Sequence, residues 1–167
     1  LRNDLFELHY QPKMNIQTDE IEGAEALIRW TDEDLGVMPP DQFIPFAEQV
    51  GLISAIGRWV LRKAAEQTKI WADTYGVNYR IAVNISPIHI AEPDFVEQVK
   101  QIVDEVGIDP TMLELEITEM SMIDYNEGLT EKIQALKDMG ITIAIDDFGT
   151  GYSSLSYLRD FPVNSLK

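Results

Sequence analysis

The amino-acid sequence predicts an α/β fold in which an antiparallel hairpin precedes a parallel sheet, and three observations carry that prediction. From Arg80 onward a short apolar strand meets a polar residue, then an apolar-striped helix, then a turn containing glycine, and the unit recurs. Strands that alternate with helices imply βαβ units and parallel pairing. The polar residues at the strand ends, Asn84, Glu116 and Asp146, stand 32 and 30 positions apart, one strand-helix period each. Ahead of the repeat, Phe6 to Tyr10 alternates in polarity and Ile21 to Trp30 forms a second extended stretch, with the polar turn Gln17-Thr18-Asp19-Glu20 between them. That pattern is a hairpin.

The elements follow in order. Asp41 precedes Phe43, Ile44, Phe46, Ala47 and Val50, a short amphipathic helix closed by Gly51, with Pro39-Pro40 read as a turn before it. Ile56, Val60, Ala64 and Trp71 mark one face of a longer helix that runs to about Gly76. Ile81-Ala82-Val83 leads to Asn84, and Phe95, Val96, Val99, Ile102, Val103 and Val106 stripe a helix ended by Gly107. Leu113 to Ile117 contains Glu116; Leu129, Ile133 and Leu136 stripe the next helix, ended by Gly140; Ile141 to Ile145 leads to Asp146. Six strands are expected, near Leu8, Ala26, Val83, Leu115, Ile143 and Leu166. Residues one period apart lie at the same end of neighbouring parallel strands, and in a (β/α) barrel that end carries the active site.

Composition narrows the chemistry. Hydrophobic content of 45% with 25% charged residues is that of a folded domain. No run approaches the ~20 apolar residues of a membrane span, and Leu1-Arg2-Asn3-Asp4 does not resemble a signal peptide, so the expectation is a cytoplasmic chain, or the cytoplasmic part of a membrane-anchored protein, with no membrane contact of its own. The absence of cysteine removes disulfides, thiolate metal sites and cysteine nucleophiles, and two histidines make a histidine-rich zinc site a poor fit. A formal charge of −16 disfavours any grip on a nucleic acid polymer. An acidic chain still binds a small phosphate ligand when divalent cations bridge carboxylates to phosphate oxygens.

Glu25, Asn84, Glu116, Asp146 and Asp147 offer only oxygen donors, which select Mg²⁺ or Mn²⁺ over softer metals. Asp146 and Asp147 are adjacent, and at a strand end loosened by Gly149 and Gly151 both can turn toward one site and bridge two cations about 3.5–4 Å apart. Each piece has an ordinary structural explanation as well. Asp146-Asp147-Phe148-Gly149-Thr150-Gly151 alone is an acidic turn capping a helix at Ser153. Glu114 and Glu116 alone are the solvent face of an antiparallel strand. Asn84 before Ser86-Pro87 simply begins a helix, with Ser86 as its cap. Arg29 beside Trp30 is a surface salt bridge. A kinase is disfavoured, because Asp147-Phe148-Gly149 has neither a glycine-rich nucleotide loop nor a His-Arg-Asp motif before it.

Seven strings change the weighting. Tyr10-Gln11-Pro12-Lys13, Glu25-Ala26-Leu27-Ile28-Arg29-Trp30, Phe43-Ile44-Pro45-Phe46-Ala47-Glu48, Val83-Asn84-Ile85-Ser86, Leu113-Glu114-Leu115-Glu116-Ile117-Thr118-Glu119, Asp146-Asp147-Phe148-Gly149-Thr150-Gly151-Tyr152-Ser153-Ser154-Leu155 and Pro162-Val163-Asn164-Ser165-Leu166-Lys167 occur in the order of the EAL domain family. The chain resembles those cyclic di-GMP phosphodiesterases along almost its whole length. The resemblance implies a TIM-like (β/α) barrel of the EAL type with an antiparallel first hairpin, and a metal-dependent hydrolysis of one phosphodiester of cyclic di-GMP to linear pGpG in bacterial second-messenger signalling. It implies that Glu25, Asn84, Glu116 and Asp146 bind one metal, with Asp146 and Asp147 on a second, the pair being Mg²⁺ or Mn²⁺. Gln11 and Arg29 would hold the dinucleotide, the guanidinium fork suiting phosphate. Glu119 would tie down the loop from Phe148 to Ser154, which couples metal site and dimer contact, and Lys167 would orient or help deprotonate the attacking water.

Such a barrel needs about 250 residues and eight strands. Residues 1–167 therefore read as an EAL phosphodiesterase domain lacking its C-terminal part, an incomplete barrel of about six strands, without the later glutamate that would serve the second metal. The expected whole is a cyclic-guanylate-specific phosphodiesterase, homodimeric, with an attached GGDEF (diguanylate cyclase) or sensor domain, this chain being an inactive fragment of it. The alternative is a non-catalytic EAL-like module that binds cyclic di-GMP or a protein partner.

Overall fold

The computed structural model describes residues 5–32, 34, 36–118, 127–146 and 163–166. It begins with the hairpin: β1 (Phe6–Asn15) runs antiparallel to β2 (Glu20–Asp32), Phe6 opposite Trp30 and Gln11 opposite Glu25. Asn15 shapes the turn, its side-chain oxygen accepting hydrogen bonds from the backbone N–H of Gln17 and Thr18 at 2.8 and 3.2 Å, while Asp19 takes a left-handed φ of 59°. The register slips by a bulge just after Lys13. A three-residue strand, β3 (Gly36–Met38), adds antiparallel to the far end of β2. Sequence patterning had not marked it, since three residues carry too little periodicity to read.

Helix α1 (Pro40–Gln49) starts at Pro40, so the Pro39-Pro40 pair is the entrance of that helix and not a separate turn; proline suits the first helical position because its missing N–H would have no partner there. Helix α2 (Ile53–Tyr75) ends where Gly76 takes a left-handed φ of 67°. Strand β4 (Arg80–Ile85), helices α3 (Pro87–Ala91) and α4 (Phe95–Val106), strand β5 (Leu113–Thr118), helix α5 (Glu127–Asp138), strand β6 (Thr142–Asp146) and strand β7 (Ser165–Leu166) follow.

The sheet order is β1-β2-β4-β5-β6-β7, parallel from β2 onward, with β3 paired to β2 off this path. Among the described residues the path does not close on itself. One face is apolar: Ile81, Val83, Leu113, Leu115, Ile117, Ile143 and Ile145 are all within 1% of full burial and pack with Leu61, Ala64, Val99, Ile102, Ile133 and Leu136 from α2, α4 and α5. Each such side chain contributes about 1.5–3 kcal/mol of hydrophobic stabilisation. Because strand side chains alternate, Ala82, Asn84, Glu114, Glu116, Ala144 and Asp146 fall on the opposite, inner face. The hairpin obeys the same rule. Phe6, Trp30, Phe43 and Trp59 form an aromatic cluster with centroids 5.6–6.0 Å apart that docks β1 and β2 on α1 and α2, and Tyr10 meets Trp71 edge-on at 5.1 Å. With those residues committed to the helices, Gln11 and Glu25 face inward.

Gly23 allows β2 and β4 to join. It pairs with Arg80, and a Cβ there would lie 2.0 Å from the Arg80 carbonyl oxygen.

Candidate active site at the strand ends

Glu25 is half-buried in the middle of β2, and Asn84, exposed near the end of β4, donates a hydrogen bond from Nδ2 to Glu25 Oε1 at 2.7 Å. Sequence places these residues 59 positions apart; the parallel register of Ala26 with Val83 brings them together. Glu116 is directly opposite Asn84 on the next strand. It is only 2% exposed, so the solvent-face explanation of Glu114 and Glu116 does not hold: β5 is a parallel strand flanked by β4 and β6, and both carboxylates are enclosed on its inner face. Asp146 pairs with Thr118 and not with Glu116, whose partner is Ala144. The three polar residues thus share one end and one face of the sheet, with Asp146 two residues farther along its strand than Ala144, the residue level with Glu116.

Gln11 is exposed opposite Glu25, and half-buried Arg29 lies four residues beyond Glu25 on the same face. Arg29 donates to the Ile28 carbonyl at 2.8 Å and lines a cleft of about 290 Å³ with Asn84, Ser86, Glu48, Glu116 and Thr118. The described contacts give Arg29 a backbone partner where a surface salt bridge was the plain expectation. Ser86 caps α3 as its sequence suggests, accepting from the Ile88 N–H at 3.2 Å, and it also donates to Glu48 Oε1 at 2.7 Å, tying α1 to the end of β4. The helix-start explanation is therefore correct for Ser86-Pro87 and leaves Asn84 its contact with Glu25.

Asp147, Glu119, Lys167, the Phe148 to Ser154 loop and the cap at Ser153 lie outside the described residues.

One residue escaped attention in the sequence. Lys13 Nζ donates to Glu116 Oε1 at 2.5 Å and to Glu114 Oε1 at 3.0 Å. Nothing local to Tyr10-Gln11-Pro12-Lys13 announces partners about a hundred positions away.

The donor chemistry suits a divalent cation. Glu25, Asn84, Glu116 and Asp146 bring hard oxygens to one end of adjacent strands, and Glu116 already receives the Lys13 ammonium. Among the described residues no three acidic or histidine side chains converge closely enough to hold a metal by themselves. Nor, among them, is any helix long and apolar enough to cross a membrane.

A model of the EAL domain matches residues 1–167. The signalling protein YkoW of Bacillus subtilis is 41% identical over 167 residues, all of this chain and 21% of the relative. Cyclic di-GMP phosphodiesterase PdeR of Escherichia coli is 40% identical over the same span, 25% of its own length. The chain thus spans about a fifth to a quarter of the curated relatives it matches. Among solved structures, the phosphodiesterase PaMucR in complex with c-di-GMP superposes with a TM-score of 0.92 at 40% identity, over 97% of this chain and 66% of that one.

Proposed function

This chain belongs to the EAL domain family, with the TIM-like fold of that family, and from that premise we propose that the protein containing it hydrolyses one phosphodiester of cyclic di-GMP to the linear dinucleotide. The observation that carries the proposal is the Asn84–Glu25 contact beside Glu116 at the strand ends, in a chain of which 97% superposes on the phosphodiesterase PaMucR.

In this proposal Glu25, Asn84, Glu116 and Asp146 hold a divalent cation, Mg²⁺ or Mn²⁺, and Asp147 joins Asp146 on a second. When bound, the pair supplies Lewis acidity toward the phosphate and lowers the pKa of water to the neutral range. The chain's own residues do the rest. Gln11 and Arg29 grip the dinucleotide, and a guanidinium matches two phosphate oxygens at once. The aromatic docking of β1 and β2 keeps Gln11 and Glu25 on the inner face, so the substrate-binding and metal-binding side chains share one rigid hairpin. Lys167 orients the attacking water, and Glu119 steadies the loop from Phe148 to Ser154 that links the site to a dimer contact. The protein is cytoplasmic, or has this part in the cytoplasm, and acts as a homodimer alongside a GGDEF or sensor domain. Closure of the barrel by a further segment carrying the remaining second-metal glutamate completes the catalytic unit.

The test is product analysis with the complete protein, cyclic di-GMP and either Mg²⁺ or Mn²⁺. Appearance of the linear dinucleotide is expected. Tight binding of cyclic di-GMP without cleavage under either metal would replace the phosphodiesterase by a receptor.

A further inference from the structure

Lys13 belongs to β1, yet both of its carboxylate partners are on β5, with β2 and β4 in between. The side chain can cross because the inner-face residues along its route are small: Gly23 is its register partner on β2, and Ala82 pairs with Glu114. Lys13, Gly23, Ala82 and Glu114 all line one cavity at the lower end of the sheet. The bulge immediately after Lys13 re-aims the strand at this point. The Glu116 side chain is 2% exposed and that of Glu114 10%, while Lys13 keeps 32%. An ammonium is thus drawn inward across two strands onto two enclosed carboxylates that share a face of one strand.

We propose that Lys13 is a positioning residue for the metal site, holding the Glu116 carboxylate from below, through Oε1, in the orientation a divalent cation needs. This rests on the assignment of Glu116 as a metal ligand. A ligating carboxylate whose second partner is removed swings among rotamers, and loss of such a supporting hydrogen bond typically lowers metal affinity about 10- to 100-fold. Glu114 has a separate part: it is the second anchor that keeps the ammonium at the bottom of the site, where Lys13 supports Glu116 without standing in the cation's place.

The experiment titrates Mn²⁺ into the complete protein without substrate, following free Mn²⁺ by electron paramagnetic resonance, beside thermal melts of each variant. Lys13→Met should weaken Mn²⁺ binding by about 10-fold or more. Lys13→Arg, which keeps a cation that can span two carboxylates, should stay within about threefold of the unmodified protein. Lys13→Met with Glu114→Gln removes one charge of each sign and guards against a variant that fails to fold; it should bind Mn²⁺ as weakly as Lys13→Met. Unchanged or tighter Mn²⁺ binding in the folded Met variants would overturn the proposal, the tighter case marking Lys13 as a competitor of the cation. Equal weakness of the Arg and Met variants would overturn it too, since charge at this position would then not hold Glu116. An unmodified protein that takes up no Mn²⁺ would instead sink the metal assignment itself, and this inference with it.

Discussion

The two ends of the inner face treat their carboxylates in opposite ways. At the lower end Glu114 has Lys13 at 3.0 Å and Arg80 Nη1 at 3.9 Å. At the upper end Glu25 meets a neutral amide, Asn84, at 2.7 Å, and among the described residues no ion pair reaches Glu25 or Asp146. Enclosing a carboxylate is costly unless a cation or several hydrogen-bond donors meet it. The lower end is therefore neutralised by the chain's own lysine and arginine, whereas the upper end keeps acidic groups that a cation from solution can meet. Glu116 stands between the two regimes, buried with the lower set yet level with Asn84 of the upper. Two carboxylates on one strand, Glu114 and Glu116, thus differ less in residue type than in what the fold brings opposite them.

Two substitutions on β2 should separate the ends most clearly. Glu25→Ala, at the upper end, is expected to reduce hydrolysis of cyclic di-GMP by at least the 10²–10³-fold typical of losing one preorganised electrostatic group, with the melting temperature within about 3 °C of the unmodified protein. Retained turnover would remove Glu25 from the site. Gly23→Ala, two residues earlier, should do the reverse by unfolding before it impairs chemistry. Its Cβ meets the Arg80 carbonyl at 2.0 Å, backbone that cannot step aside without breaking the β2–β4 pairing. A cost of about 3 kcal/mol, roughly 10 °C in melting temperature, is expected. An unshifted melt would mean that the strands tolerate a wider separation than the register allows.

A smaller effect should follow from Arg29→Ala. Losing charge-assisted hydrogen bonds to phosphate, worth about 1.5–3 kcal/mol, should weaken cyclic di-GMP binding 10- to 100-fold and leave Mn²⁺ affinity in place. Parallel titrations of nucleotide and metal check it, and equal losses in both would place Arg29 among the structural residues.

The smallest expected effect lies behind the upper end, at His89. It is fully buried, with Nε2 at 3.2 Å from Gln98 Oε1 and, among the described residues, no partner for Nδ1. Burial pushes its pKa below the ordinary 6.5, a shift only partly opposed by the Gln98 hydrogen bond and by Glu92 and Asp94. The unfolded chain thus binds a proton near pH 6.5 that the folded chain refuses, so stability is full above that pH and declines as pH falls toward the lowered value. Glu92, held low by hydrogen bonds from Ser54 and Gln98, acts separately: its contribution is present above about pH 4.5 and disappears only in stronger acid. Melting temperatures of His89→Leu should accordingly vary less with pH than those of the unmodified protein between about pH 7 and 5. An identical slope would assign the pH dependence to another group.

The sequence by itself determined the order and kind of the longer elements, because their signals are local. Apolar spacing marked α2, α4 and α5, Gly76 and Gly107 closed helices where a left-handed backbone is needed, and polarity alternation marked the hairpin. It also brought forward Glu25, Asn84, Glu116 and Asp146 through oxygen chemistry and motif order. Tertiary structure decided what these residues face. Strand register, a property of two chain segments and the packing between them, put Asn84 on Glu25 and opposite Glu116, moved Asp146 up to Thr118, and enclosed Glu114 and Glu116 where alternation alone would have left them wet. It brought Lys13 across two strands to carboxylates about a hundred positions away, which no periodicity encodes, since the path depends on Gly23 lying opposite Lys13 and Ala82 opposite Glu114, which happens only once the sheet has formed.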